Sequence, residues 1–190
     1  MARRYDPDRR ARIVDAAVTV IGERGIAGLS HRAVAAAADV PLGSTTYHFA
    51  DRDELLLAAV ERINDAWLTR FAEWLRSVDT GRPLARELGR YVTECLGPER
   101  AATELAYELY FAGLRQPLVR PVAADCLDRM TALLRPFVPD EHTARALVAA
   151  ADGLLIQLLL TGRPCAAEEA EALFARLLPG TGSPPDAATR

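Results

Sequence analysis

Side chains that donate hydrogen bonds are concentrated in one short stretch of the chain, residues 30–49. The stretch contains two of the three histidines and neither lysine nor glutamate. Its polar members include Arg32, Ser44, Thr45, Thr46, Tyr47 and His48. Hydroxyl, imidazole and guanidinium groups all donate to acceptor oxygens or nitrogens. The chemistry available here is therefore recognition of a partner that is rich in hydrogen-bond acceptors.

The same stretch has the pattern of a helix, a tight turn and a second short helix. Ser30 is a suitable N-cap, and Leu29 before it can pack on Val34 inside the helix. Asp39 falls in the turn, where it can adopt the left-handed conformation. The second helix covers about 42–49, and its exposed residues are expected to be Gly43, Ser44, Thr46, Tyr47 and His48. In this arrangement the second helix enters the major groove of DNA.

The helix before this stretch is predicted to begin at Asp6-Pro7 and to end at Gly25. Arginines crowd its start: Arg3, Arg4, Arg9, Arg10 and Arg12. These arginines form either a solvated face or a set of contacts to the phosphates that flank a site, and the sequence leaves both interpretations open.

The rest of the chain reads as helices only. Asp51 and Glu54 resemble a capping box, and the apolar stripe that follows predicts one long helix over 51–78. Further helices are predicted at about 84–96, 99–114, 144–160 and 166–178, with another that starts at Pro117 or Pro121 and runs to about 134. We therefore predict an all-α fold of about nine helices. The predicted domains are a helix-turn-helix DNA-binding domain (1–50), a helical domain (51–178, with 51–78 as connecting helix) and a disordered tail (179–190).

Charge and composition narrow the function. The net charge is -3, and residues 1–52, with eight arginines and six acids, carry +2, so the remainder carries -5. An acidic chain does not coat nucleic acid or anionic membranes, so DNA binding must come from a localised surface. The sequence offers no paired catalytic carboxylates, metal-ligand spacing or phosphate loop, so we expect no enzyme, metal or cofactor. Without a signal sequence or a spanning segment, we expect a cytoplasmic protein and no membrane partner.

The helix at 144–160 is apolar almost all round and must be covered on two sides. One side can be the chain's own core, and we assign the other to a second copy of the chain. Together with the last helix it would form a four-helix homodimer interface. The residues predicted for that interface are Leu147, Ala151, Leu155, Leu158, Leu173, Phe174 and Leu177.

The region from about Arg10 to Asp65 resembles the N-terminal domain of TetR-family (tetracycline-repressor-like) transcription regulators. The residues that carry the resemblance are Ala16-Ala17, Gly25, Leu29-Ser30, Arg32, Ala35, Val40, Gly43, Thr46-Tyr47-His48-Phe49, Asp53 and Leu55-Leu56. The resemblance implies an all-α homodimer that binds a palindromic double-stranded DNA operator and usually represses transcription. It also implies DNA contacts at His31, Arg32, Leu42, Gly43, Ser44, Thr45, Thr46, Tyr47, His48 and Arg52.

A small-molecule effector is expected in the helical body of such a regulator. The candidate pocket residues are Trp67, Phe71, Trp74, Tyr91, Tyr107, Tyr110, Phe111 and Met130, with Glu94, Glu104, Glu108, Arg115 and Gln157 as polar contacts. This apolar and aromatic set favours a hydrophobic or aromatic effector, although ordinary core packing would use the same residue types. The alternative function is a helical ligand-binding or scaffold dimer whose DNA-binding module is degenerate.

Overall fold

Nine α-helices make up the computed structural model, which describes residues 7–178. They are α1 (Arg9–Arg24), α2 (His31–Ala37), α3 (Leu42–His48), α4 (Arg52–Ser77), α5 (Leu84–Leu96), α6 (Arg100–Ala112), α7 (Arg120–Leu134), α8 (Glu141–Thr161) and α9 (Ala167–Leu177). Short 3-10 turns lie at Ile26–Gly28 and Arg135–Phe137. The all-α fold is confirmed over this range. The predicted N-cap at Asp6, Arg3 and Arg4, and the predicted tail at 179–190, lie outside the described residues.

The described chain divides into two compact units. The N-terminal unit contains residues 7–69 and 108–126, and the C-terminal unit contains 70–107 and 127–178. The boundaries between the units fall inside α4, α6 and α7. Helices α1, α2 and α3 belong wholly to the N-terminal unit, whereas α5, α8 and α9 belong wholly to the C-terminal unit.

Local capping signals fix the helix ends of the N-terminal unit. The Ser30 hydroxyl accepts a hydrogen bond from the backbone N–H of Ala33 at 3.2 Å, as an N-cap should. Asp39 has φ of 51° in the turn that follows α2, which confirms the predicted left-handed residue. This turn is closed by a hydrogen bond from the Val40 N–H to the Ala35 carbonyl at 3.0 Å.

Helix α4 begins with a variant of the capping box. The Asp51 carboxylate accepts from the Glu54 N–H at 2.9 Å, and the Glu54 carboxylate accepts from the Ala50 N–H at 2.7 Å. The Glu54 N–H has no partner within the helix, and the Ala50 N–H lies just before the helix; both are satisfied in this way. The helix then continues for 26 residues, or about 39 Å at 1.5 Å per residue.

In the C-terminal unit, α5 packs directly against α9. Gly89 makes the close approach possible, because a Cβ atom at this position would lie 2.5 Å from the carbonyl oxygen of Ala167. Phe174 on α9 is completely buried and Leu88 on α5 nearly so. On α5, buried Glu87 is paired with Arg90 at 2.7 Å, so its charge is compensated.

Helices α7 and α8 have clear starts. Helix α7 begins at Arg120, which places Pro121 rather than Pro117 in its first turn. Asp140 caps α8 by accepting from the Thr143 N–H at 2.7 Å, and this hydrogen bond lowers the pKa of Asp140. Helix α8 is long and apolar enough to cross a membrane by length and composition alone, a test that the core helix of a soluble protein also passes.

Candidate nucleic-acid interface and effector site

Helix α3 presents its Tyr47 side chain almost entirely to solvent, with 82% of the residue exposed. Its ring meets the half-buried ring of His48 edge-on, with the centroids 5.1 Å apart. The next residue, Phe49, is buried and ends the helix. The buried Phe49 ring anchors the end of α3 directly after Tyr47 and His48. This anchor sets how far the two preceding rings project from the N-terminal unit.

Leu42, Gly43 and Thr46 are also exposed along α3. Nothing lies within 4 Å of the position that a Cβ atom of Gly43 would occupy. The helix backbone is therefore open to close approach at Gly43. Thr46 makes only a long hydrogen bond, 3.5 Å, to the Gly43 carbonyl, so its hydroxyl can turn towards an outside partner.

Ser44 and Thr45 differ from the sequence-based expectation, because both face the interior of the N-terminal unit. Ser44 is 2% exposed and Thr45 is fully buried. The Thr45 hydroxyl donates to the Leu42 carbonyl at 2.8 Å. Helices α2 and α3 pack closely over a short turn, so small residues of α3 fill the space between them. The expectation that Ser44 is exposed is wrong, and neither residue is in a position to contact DNA.

The two predicted contacts at the start of α2 behave differently from each other. Arg32 is exposed, which leaves its guanidinium available to a partner. His31 is half-buried, and both of its ring nitrogens are shielded from solvent without a hydrogen-bond partner. His31 therefore does not present a donor at the surface of the described structure.

Arg52, predicted to contact DNA, instead makes hydrogen bonds inside the N-terminal unit. Its guanidinium donates to the Leu29 carbonyl at 3.0 Å and to the Ile26 carbonyl at 2.6 Å. These carbonyls belong to the connection between α1 and α2, where no helix supplies a regular donor for every group. The structure thus gives Arg52 a positioning role, since it joins the start of α4 to that connection.

Arg10 is one of the arginines at the start of the chain that were considered as phosphate contacts. Its guanidinium carbon lies 5.0 Å from the centroid of the Phe49 ring, within the range of a cation–π contact. This contact places an exposed arginine of α1 beside the C-terminal end of α3. A positive charge therefore lies near Tyr47 and His48, as a phosphate-binding surface requires.

Three of the eight predicted pocket residues form one aromatic cluster in the C-terminal unit. The ring centroids are 5.5 Å apart for Phe71 and Trp74, 5.4 Å for Phe71 and Tyr91, and 4.8 Å for Trp74 and Tyr91. All three residues are buried. The indole N–H of Trp74 is shielded from solvent without a hydrogen-bond partner among the described residues.

Tyr107 adds a polar group to this region of the C-terminal unit. Its hydroxyl donates to the Asp152 carboxylate at 2.8 Å. Burial raises the pKa of Asp152 to about 6, and the hydrogen bond from Tyr107 opposes that rise. Burial also raises the pKa of Tyr91, with further contributions from Cys95, Tyr107 and Asp152. Tyr91, Tyr107 and Asp152 are thus electrostatically coupled.

Asp152 was not among the residues selected from the sequence. The signal that could have identified it is its isolation, because it is the only ionisable residue between Arg145 and Arg163. An acid in the middle of an apolar helix needs a specific partner.

The remaining predicted pocket residues are distributed over both units. Trp67 and Met130 are buried, the first in the N-terminal unit and the second in the C-terminal unit. Tyr110 and Phe111 belong to the N-terminal unit and pack against each other, and Phe111 is 42% exposed. Of the predicted polar contacts, Glu94 and Glu104 form ion pairs with Arg90 and Arg100, respectively.

The predicted dimer set needs a correction, because five of its seven residues are buried within a single chain. These five are Leu147, Ala151, Leu155, Leu158 and Phe174. On a helix that is apolar all round, the pattern does not say which arc faces the chain's own core, and these residues occupy that arc. Leu173 and Leu177 on α9 are exposed on the single chain, so their assignment to a dimer interface stays a prediction, and Leu160 on α8 is 82% exposed.

Comparison with known families matches both parts of the chain. The family model described as "Bacterial regulatory proteins, tetR family" matches residues 13–59. A second model, "Tetracyclin repressor-like, C-terminal domain", matches residues 79–180. The first match contains α2, α3 and the start of α4. The second contains Tyr91 of the aromatic cluster and Asp152, whereas Phe71 and Trp74 lie before it.

Individual relatives agree with these models. The nicotine-responsive transcriptional repressor HdnoR of Paenarthrobacter nicotinovorans is 26% identical over 165 residues, which cover 79% of this chain and 83% of the relative. The transcriptional regulator BetI of Rhizobium meliloti (strain 1021) is 26% identical over 177 residues, covering 88% and 86%.

Among solved structures, the multidrug binding protein EbrR complexed with imidazole has a TM-score of 0.82 at 49% identity. The alignment covers 94% of this chain and 99% of that one. The same protein has been solved with ethidium, proflavin and malachite green.

Proposed function

Because this chain belongs to the tetR family of bacterial regulatory proteins, we propose that it is a dimeric repressor that a small molecule releases from a palindromic operator. The family makes it a helix-turn-helix transcription regulator that binds DNA. The proposal adds that the operator is palindromic, which residues contact it, and that a small molecule releases the protein from it. In it, residues 1–50 bind DNA in the cytoplasm and residues 51–178 bind the effector and the second subunit.

The observation that carries the proposal is the outward presentation of Tyr47 from a helix whose other face is buried. Ser44 and Thr45 anchor α3 from within, while Leu42, Gly43, Thr46, Tyr47 and His48 remain accessible. With Arg32, these residues form the proposed DNA-contact set. Neutral donors such as Tyr47 suit phosphate oxygens, whereas Thr46 and Leu42 suit base edges and the thymine methyl group.

The experiment separates the proposed roles by affinity and by salt dependence. Operators are identified by in vitro selection and by mapping the binding sites beside the protein's own gene. Binding is then followed by fluorescence anisotropy over a range of salt concentrations. Tyr47→Phe removes only a neutral hydroxyl, so it should weaken binding to all sequences equally and leave the salt slope unchanged. Arg32→Gln should weaken binding and reduce the salt slope by about one counterion.

Thr46→Ala tests sequence reading at the centre of the proposed interface. We expect the variant to prefer a different base at one position of each half-site, because a base contact is lost while the phosphate contacts remain. Selection of the parental operator by the variant would contradict this role. Failure of the wild-type protein to bind duplex DNA at low salt would favour the alternative, a helical ligand-binding dimer with a degenerate DNA-binding module.

The proposed dimer uses the exposed faces of α8 and α9. Leu160, Leu173 and Leu177 are 82%, 38% and 41% exposed, respectively, although they lie on helices that bury their opposite faces. A second copy of the chain would cover them and would place two α3 helices about 34 Å apart, in successive major grooves. Sedimentation of Leu160→Asp should show a shift to monomer. Leu114→Asp is the matched control, since Leu114 is 71% exposed in the N-terminal unit.

Release by an effector is proposed from the ligands of the relatives. HdnoR is named as nicotine-responsive, and EbrR has been solved with several planar aromatic molecules. The aromatic cluster of the C-terminal unit offers apolar ring faces to a ligand of that class. Titration of malachite green, which is also solved with EbrR and does not intercalate into duplex DNA as ethidium does, should lower the anisotropy of the operator complex. A ligand that prefers the non-binding conformation shifts the population away from DNA.

A further inference from the structure

The aromatic cluster of the C-terminal unit has the composition of a site for a positive charge. The rings of Phe71, Trp74 and Tyr91 lie with centroids 4.8–5.5 Å apart, one pair stacked, one tilted and one edge-on. Aromatic faces carry negative electrostatic potential and attract cations that lie within about 6 Å of the ring centroid. Clusters of this kind also occur as plain core packing, so a second observation must distinguish the two.

That second observation is the Asp152 carboxylate. It lies in the middle of α8, among apolar residues, and accepts a hydrogen bond from the Tyr107 hydroxyl at 2.8 Å. The charge of Asp152 raises the pKa of Tyr91. The carboxylate is therefore close enough to the aromatic cluster to influence it electrostatically. No arginine forms an ion pair with Asp152 in the described part of the chain.

We propose that Asp152, together with the rings of Phe71, Trp74, Tyr91 and Tyr107, binds the cationic centre of the effector. This inference rests on the proposed function, and it narrows the effector class to organic cations with an aromatic or apolar body. The carboxylate supplies the opposite charge and the rings supply the apolar walls. The Tyr107 hydroxyl holds the carboxylate in place.

The energetics of Asp152 favour this role over simple packing. Asp152 is half-buried. Withdrawing a carboxylate from water beside one neutral donor is unfavourable, and an apolar residue would fill the same space without that cost. Entry of a cation removes the penalty, because the carboxylate then gains an opposite charge in a medium of low dielectric constant. The same change makes the ionised carboxylate, which burial otherwise disfavours, the more stable form.

The Trp74 indole adds a hydrogen-bond donor to the site. Its N–H is buried and has no hydrogen-bond partner among the described residues. A buried donor without an acceptor is unfavourable. A ligand that also carries an acceptor atom would satisfy this donor while its cationic centre lies against Asp152.

The test measures binding of ethidium, proflavin and malachite green to the full-length protein by fluorescence titration. Asp152→Asn removes the charge and keeps the shape, and it should weaken the binding of all three cations at least tenfold. Asp128→Asn is the matched control, because Asp128 is an exposed acid of the same unit, and it should change affinity less than twofold. Equal affinities of wild-type protein and Asp152→Asn would overturn the proposal.

A second measurement needs only the wild-type protein, so it holds even if Asp152→Asn fails to fold. Acridine at pH 8 is an uncharged relative of proflavin with the same three-ring frame. The wild-type protein should bind proflavin at least tenfold more tightly than acridine. Equal binding of the two, or binding of none of the three cations, would overturn the cation site.

The DNA measurement separates this inference from the proposed function. Cations that bind through Asp152 without releasing the operator would contradict the proposed release and leave the cation site standing. Release by malachite green that is unaffected in Asp152→Asn would support the regulator and overturn the site. Circular dichroism of each variant excludes loss of folding as the cause.

Discussion

Gly89→Ala is the sharpest test of how the C-terminal unit is packed. The added Cβ atom would lie 2.5 Å from the Ala167 carbonyl oxygen and 3.1 Å from the Glu171 nitrogen. Both are backbone atoms of the α9 region, so neither can rotate away as a flexible side chain would. Since a carbon and an oxygen in contact are roughly 3.3 Å apart, α9 would have to move away by roughly 0.8 Å.

Two effects of opposite sign determine the stability of Gly89→Ala. Alanine is favoured over glycine inside a helix by about 1 kcal/mol. Overpacking a tight contact costs about 1–3 kcal/mol, and the cost is at the upper end where backbone must shift. We therefore expect a net loss of about 1–2 kcal/mol. At about 2–4 °C per kcal/mol for a chain of this size, the melting temperature should fall by roughly 2–8 °C.

The assay is urea and thermal unfolding followed by far-UV circular dichroism, at one fixed protein concentration because the stability of the proposed dimer would depend on concentration. Gly43→Ala is the control, since nothing lies within 4 Å of its added Cβ atom. Without DNA this control should be neutral or slightly stabilising. If Gly89→Ala matches or exceeds the wild-type stability, the close approach of α5 to α9 described above is refuted.

Three further predictions concern single residues. The pKa of Asp152 is raised from 3.8 to about 6, so its contribution is most favourable below about pH 4 and is lost as the pH rises through about 6. Asp152→Asn should therefore have a higher free energy of unfolding than the wild type at pH 8, by up to about 3 kcal/mol at about 1.4 kcal/mol per pKa unit. The difference should vanish near pH 4, and urea unfolding at both pH values measures it. Ser30→Ala should cost about 1 kcal/mol through loss of the α2 N-cap; an unchanged unfolding midpoint would count against the cap. Asp39→Gly should be neutral or stabilising by up to about 1 kcal/mol, because glycine adopts the positive φ of 51° without strain, and a clear loss of stability would argue for a side-chain role of Asp39.

Features that depend on neighbouring residues in the chain were predictable from the sequence. The Ser30 cap, the left-handed Asp39 and the Asp51–Glu54 capping box each depend on residues within four positions of one another. Their side chains and backbone groups meet in any helix-turn-helix of this spacing. The all-α fold and the order of the helices follow from such local signals together with the apolar periodicity.

Features that depend on which arc of a helix meets the core were not predictable in the same way. Leu147 and Leu155 were expected at a dimer interface, but they lie in the interior of one chain. Helix α8 is apolar almost all round, so its sequence does not show which arc faces that interior. Ser44 is small and polar, so its sequence pattern suited an exposed site, yet the close packing of α2 on α3 buries it. The sequence also could not show that Arg52 reaches carbonyls more than 20 residues earlier in the chain.

The two hydrogen bonds of Arg52 limit how a signal can travel along α4. Because the first residue of that helix is bonded to the carbonyls of Ile26 and Leu29, this end of α4 cannot slide or rotate alone. Either the connection before α2 moves with it, or both bonds break. An effector that acts through α4 would then move α2 and α3 together with the start of α4. The geometry among these three elements would stay intact.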